Sequence, residues 1–136
     1  MINERKGLFL TAGNGKTSFV STKDIAKVAA QSFKNKDFGS EYDLTGSEAY
    51  SHREVADMIS EATGKEVMYN DLTDDELREA ARQQGMPEDA IKYMAELYGA
   101  VRAGKSSQVT PFVKRVSGED PVQFMDFIEE NADMWK

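Results

Sequence analysis

Three times along this chain a Ser or Thr is followed, three residues on, by an acid at the head of an apolar run: Ser21 with Asp24, Ser51 with Glu54, and Thr73 with Glu76. Each pair reads as a capping box, in which the hydroxyl accepts the N–H of the third residue and the acid accepts the N–H of the cap. Three helix starts are thereby placed in the sequence. Behind the first, Ile25, Val28, Ala29 and Phe33 recur at helical spacing and define one buried face; behind the second come Val55, Met58, Ile59 and Ala62, with Gly64 as the stop. The third, short helix carries Leu77, Ala80 and Ala81 and ends near Gly85. Pro87 suits the first turn of a longer helix, where its missing N–H would be unpaired anyway. That helix carries Ile91, Met94, Ala95, Tyr98 and Val101 and ends near Gly104, and Glu119 or Asp120 with Pro121 opens a last one with Phe124, Phe127 and Ile128 inward.

Between the helices lie short extended runs. Leu8 to Thr11 and Thr17 to Ser21 flank Ala12-Gly13-Asn14-Gly15-Lys16, where Asn14-Gly15 predicts a hairpin turn. Glu41 to Thr45, closed by Gly46, and Glu66 to Tyr69 are two further strand-like runs. The expected fold is α/β, helix-rich, with three or four short strands and about five helices in a single unit over 1–136. Strands separated by helices imply crossover connections within one sheet. So few short strands make a poor sheet alone, so the rest of it comes from elsewhere, or the chain dimerises to complete it.

Composition narrows the function. The 136 residues carry 17 Lys and Arg against 24 Asp and Glu, a net charge of −7 that repels a phosphate backbone; no basic patch interrupts it, so no nucleic-acid partner is expected. The absence of Cys excludes disulfides, thiolate catalysis and Cys-based metal centres. No apolar run approaches the ~20 residues of a membrane span. The start, Met1 to Lys6, has no apolar signal core behind its charges. No membrane partner is expected, and the expected location is the cytoplasm.

Motifs for chemistry fail on inspection. Gly15-Lys16-Thr17 resembles the end of a phosphate-binding P-loop, but the Gly required five residues earlier is Leu10, and a β-type run follows instead of a helix. Gly13 and Gly15 begin a dinucleotide fingerprint whose third position is Ser18. No Tyr has a Lys four residues later, as the residues there are Gly46, Glu54, Thr73, Leu97 and Arg102. His52, the sole histidine, follows a helix cap and reads as a solvated surface residue. The acids Asp71, Asp74, Asp75 and Glu76 lack the spacing of a calcium loop and suit a helix dipole instead. No metal and no catalytic residue is therefore assigned.

The order of the segments carries a resemblance. Ser18-Phe19-Val20-Ser21-x-x-Asp24-Ile25-Ala26, then Tyr42-Asp43-Leu44-Thr45-Gly46, then Glu54-Val55-Ala56 with Gly64 and Val67-x-Tyr69 are similar to successive signatures of NmrA-like proteins. Gly85-Met86-Pro87 and Ser117-Gly118-x-x-Pro121-x-x-Phe124-x-x-Phe127 resemble the tail of that family, with Glu119 standing where relatives commonly carry a basic residue. These are atypical short-chain dehydrogenase/reductase relatives that include NAD(P)H:quinone oxidoreductases and redox-sensing regulators.

The resemblance implies the helix-rich C-terminal lobe of a Rossmann-type NAD(P)-binding protein, with the N-terminal Rossmann half absent. It implies NAD(P) as the family's cofactor, which should not bind tightly to this chain alone, and a quinone or carbonyl-like acceptor as small-molecule substrate. The expected partner is the missing half or a second copy of the chain. Candidate ligand contacts are the loop Thr11, Gly13, Asn14, Gly15 and Lys16, where glycines let backbone approach a ligand. Tyr98 follows as a candidate for the substrate pocket, on a helix whose Tyr93, Met94 and Leu97 give it a second apolar edge. Gly99 in that helix would be accounted for by a close contact with a ligand or another helix. A non-catalytic interaction or redox-sensing module is the alternative function.

Overall fold

The computed structural model describes residues 7–135; the charged start, Met1 to Lys6, lies outside the described residues. In chain order the elements are β1 (Gly7–Leu10), β2 (Lys16–Thr17), α1 (Thr22–Lys34), β3 (Tyr50–Ser51), α2 (His52–Thr63), β4 (Met68–Asp71), α3 (Asp74–Gln83), α4 (Glu88–Arg102), α5 (Phe112–Ser117) and α6 (Phe124–Glu130). A 3-10 turn over Ala132–Trp135 follows.

Two of the three expected capping boxes form in full. Ser51 accepts from the Glu54 N–H while the Glu54 carboxylate takes the Ser51 N–H at 2.7 Å, and Thr73 and Glu76 repeat the arrangement. The first does not. Ser21 caps α1 by accepting from the Lys23 N–H, but the acid three residues on turns away: Asp24, 1% exposed, accepts the N–H of Val122. That bond ties the head of α1 to the segment entering α6. In consequence α6 starts at Phe124, after a stretch of irregular backbone, rather than at Glu119 to Pro121.

The predicted hairpin does not form. β1 pairs in parallel with β4, Leu8 opposite Tyr69 and Leu10 opposite Asp71, while the second extended run shrinks to β2, antiparallel to β3. The Asn14-Gly15 region is a tight turn in which the Gly15 N–H returns to the Ala12 carbonyl, and Gly13 takes the positive φ of 56°. The strand expected at Glu66 to Tyr69 is displaced to Met68–Asp71, because the Val67 N–H is claimed by the Ser60 hydroxyl. Glu41 to Thr45 is not a strand: Thr110 donates from its N–H to the Thr45 hydroxyl and from its own hydroxyl to the Asp43 carbonyl, pinning the segment by side chains. α5, behind Pro111, was not expected, and it makes six α-helices among the described residues against the five anticipated.

The core forms where α2 lies on the β1–β4 pair. Leu8, Leu10, Val55, Ala56, Ile59, Val67, Tyr69 and Ile128 are buried together, with Phe19, Tyr98, Phe124 and Trp135 packed on them. Burying an aliphatic side chain contributes about 1.5–3 kcal/mol, so this cluster carries the stability of the fold. α1 packs on α5 and α3 on α4. α1 departs from expectation on its face: Val28 is buried, but Ile25 and Phe33 are 43% and 70% exposed, with Ala26, Ala29 and Ala30 exposed beside them. Phe33 meets only the equally exposed Phe38 among ring partners, edge to face at 5.9 Å. Among the described residues β1 has one neighbouring strand, so its second edge is unpaired.

Candidate functional site

The carboxyl ends of two parallel strands are where α/β folds hold ligands, because the backbone leaves the sheet there and opens a crevice. Here β1 runs into the loop Thr11 to Lys16 and β4 into Asp71, side by side. The loop is held from three directions. The Gly13 N–H donates to the Asp71 carboxylate at 3.1 Å, Arg102 of α4 donates to the Thr11 carbonyl at 3.3 Å, and Lys16 pairs with Glu54 at 3.9 Å. Thr11 is fully buried and Asn14 exposed.

The two glycines work differently from what a ligand loop needs. A Cβ on Gly15 would stand 2.0 Å from the Val101 carbonyl oxygen, so its lack of a side chain admits the end of α4. A Cβ on Gly13 would meet the Arg102 side chain at 3.2 Å. A dinucleotide phosphate needs free backbone amides in such a turn, and here the Gly13 amide faces the Asp71 carboxylate while the Gly15 amide faces Ala12. The loop therefore does not fit a phosphate cradle. At Gly99 a Cβ would meet nothing within 4 Å, so no close contact with another described helix accounts for it.

Tyr98 lies on the same side as the loop, linked to it through residues that sequence reasoning passed over. Tyr69 donates to Asp71 at 3.1 Å, so one carboxylate holds both the Gly13 backbone and the Tyr69 hydroxyl. His52 sits between Tyr69 and Tyr98, its ring centre 6.1 Å from each, and meets Phe19 edge-on at 5.9 Å. The Arg53 guanidinium covers the Tyr69 ring at 5.7 Å. His52 is 9% exposed, and its Nδ1 is buried with no hydrogen-bond partner among the described residues. The solvated histidine expected from the sequence is thus a buried one, because the α2 cap turns its first residue inward under Phe19 rather than outward.

The electrostatics favour neutral groups. Burial pulls His52 below its ordinary value, which keeps the imidazole uncharged. Burial raises Tyr98, and burial followed by the Asp71 carboxylate pushes Tyr69 up to about 12. Both phenols remain protonated donors. Three of the four acids of the expected cluster have a protein role, Asp71 as described, Asp74 paired with Arg102 at 3.7 Å and Glu76 in its capping box. The arrangement gathers aromatic faces around one buried imidazole, and among the described residues it shows no nucleophile beside a base.

No family model matches the chain. It is 32% identical to an agroclavine dehydrogenase of Claviceps fusiformis over 98% of its own length and 47% of that protein. It is also 32% identical to an NAD(P)H azoreductase of Xenophilus azovorans, over 96% of this chain and 46% of the relative. Among solved structures, a nucleoside-diphosphate-sugar epimerase from Staphylococcus aureus superposes with a TM-score of 0.81 at 26% identity, covering 92% of this chain and 44% of that one. The chain thus spans about half the length of the curated relatives it matches. No described helix is long and apolar enough to cross a membrane.

Proposed function

We propose, from the premise that this chain is related to NmrA-like oxidoreductases over about half of their length, that it is the substrate-side C-terminal part of an NAD(P)-dependent oxidoreductase. The coverage carries the reading: nearly all of this chain aligns with less than half of each relative, so the dinucleotide-binding part is expected among residues other than these 136. Two structural features support it. β1 has an unpaired edge, and the apolar stripe of Ile25, Ala29 and Phe33 on α1 is uncovered. A free sheet edge and an uncovered apolar helix face are each surfaces that a parallel sheet covered by helices would use to continue.

NAD(P)H would supply the hydride and would be held by residues outside this chain, in keeping with a loop whose Gly13 and Gly15 amides are already occupied. This chain's part is to hold the acceptor at the carboxyl ends of β1 and β4. Thr11 to Lys16 forms one border, and Tyr98, with Phe19 and Tyr69, gives aromatic walls that exclude water and orient a ring. A quinone or related conjugated acceptor suits such walls. The chain alone would then neither bind NAD(P)H tightly nor turn over.

A fusion tests this directly. The dinucleotide half of the azoreductase relative is joined ahead of residue 7, and NADPH oxidation is followed with a naphthoquinone. Acceptor-dependent oxidation that falls on Tyr98→Ala supports the reading. A soluble fusion that binds NADPH and never consumes it favours the non-catalytic interaction module, and a tight homodimer of the unfused chain points the same way.

A further inference from the structure

A buried polar atom without a partner is destabilising, so one retained beside the proposed pocket asks for a partner that arrives with the ligand. His52 Nδ1 is such an atom, on a residue 91% buried and surrounded by rings on three sides. We propose that His52 is the specificity-determining polar contact of the acceptor pocket, selecting a flat conjugated ring that carries a carbonyl oxygen over the same ring without one. The proposal rests on the pocket reading given above.

The chemistry is that of a dry hydrogen bond. Phe19, Tyr69 and Tyr98 offer faces and edges that bind any flat ring by area and stacking, with little discrimination. With the proton on Nδ1, the neutral imidazole donates to the carbonyl oxygen and satisfies its own buried N–H in the same contact. Burial, which keeps the ring uncharged, fits a site for an uncharged acceptor. A ring lacking the oxygen leaves Nδ1 without a partner among the described residues. Selection then comes from the His52 Nδ1, since the Tyr69 hydroxyl is already engaged by Asp71.

The chain has one histidine, so its ring C–H resonances are read without assignment. Naphthoquinone sulfonate and naphthalene sulfonate are titrated into the full chain, following those resonances and calorimetric affinity. The expected result is binding of both, about five- to tenfold tighter for the quinone, with a larger shift of the His52 signals. His52→Phe should abolish the preference while retaining naphthalene sulfonate binding, and His52→Asn, which puts a polar atom near the place of Nδ1, should restore part of it. Equal affinities in the wild type, or a preference that survives His52→Phe, overturn the role of His52 and leave the pocket standing. Binding of neither compound overturns the pocket reading and the proposal together, and since it needs no variant it cannot be blamed on misfolding.

Discussion

The Asp24 carboxylate accepts the Val122 N–H at 2.8 Å, joining the head of α1 to the entry of α6 across most of the chain. Asp24 is buried and Val122 half-buried, so the contact is partly sheltered from water, and a hydrogen bond accepted by a carboxylate is worth about 1.5–3 kcal/mol. Asp24→Ala should lower stability by about 2 kcal/mol in urea unfolding. Asp24→Asn keeps an acceptor oxygen and should cost less. Equal losses in the two variants would mean that packing, not the hydrogen bond, holds this junction.

The glycines of the site and of α4 give opposite expectations. Gly15→Ala drives a methyl group into the Val101 carbonyl, a backbone atom that cannot rotate aside, so the end of α4 must move. A loss of about 2 kcal/mol or more is expected, by the mechanism of an overpacked contact. Gly99→Ala, in mid-helix with open space around it, should stabilise by about 1 kcal/mol through helix propensity alone. Thermal unfolding of the two variants side by side checks both.

His52 makes stability depend on pH in a definite direction. Its folded pKa lies below its unfolded value because burial disfavours the charge, so the unfolded chain binds the proton more readily. The contribution is fully present above the ordinary histidine value of about 6.5 and is lost as pH falls from there toward the folded pKa. Carboxylates titrate lower still, which blurs the wild-type curve. The difference in urea midpoint between wild type and His52→Phe isolates the effect: the wild type should lose ground to the variant as pH falls below about 6.5. A constant difference across that window would contradict a buried neutral imidazole.

Ile128 of α6 is 1% exposed and packs into the cluster under α2. Ile128→Ala should cost about 3 kcal/mol, and Phe127→Ala, 39% exposed one residue earlier, much less. Chemical denaturation of the two variants tests whether α6 is anchored through this single face.

What could be read from the sequence was what neighbours in sequence decide. The boxes at Ser51 and Thr73 are contacts over three residues, and the helices behind them follow their apolar period. The box at Ser21 failed because its acid found a partner 98 positions away, which no local pattern carries. The hairpin failed likewise: Asn14-Gly15 is a sound local turn signal, but β1 finds a better partner in β4, and the turn serves instead to let α4 approach Gly15. Around the candidate site, the loop and Tyr98 stand out in sequence through their glycines and an amphipathic helix edge, whereas the contacts of His52, Tyr69, Asp71 and Arg102 do not, since each but the Tyr69–Asp71 bond reaches a residue remote in sequence. One signal was available for His52: a lone histidine immediately behind a capping Ser, four positions ahead of the buried Ala56. Its phase places it beside the core face.

The central claim is that the cofactor half of the oxidoreductase lies outside this chain, and a calorimetric titration of NADPH and NADH into the purified chain tests it most directly. The account predicts no binding up to about millimolar nucleotide, as expected where the loop amides are occupied from within. Binding at about micromolar concentration would contradict it, and would require the turn at Thr11 to Lys16 to open and release its amides to a phosphate.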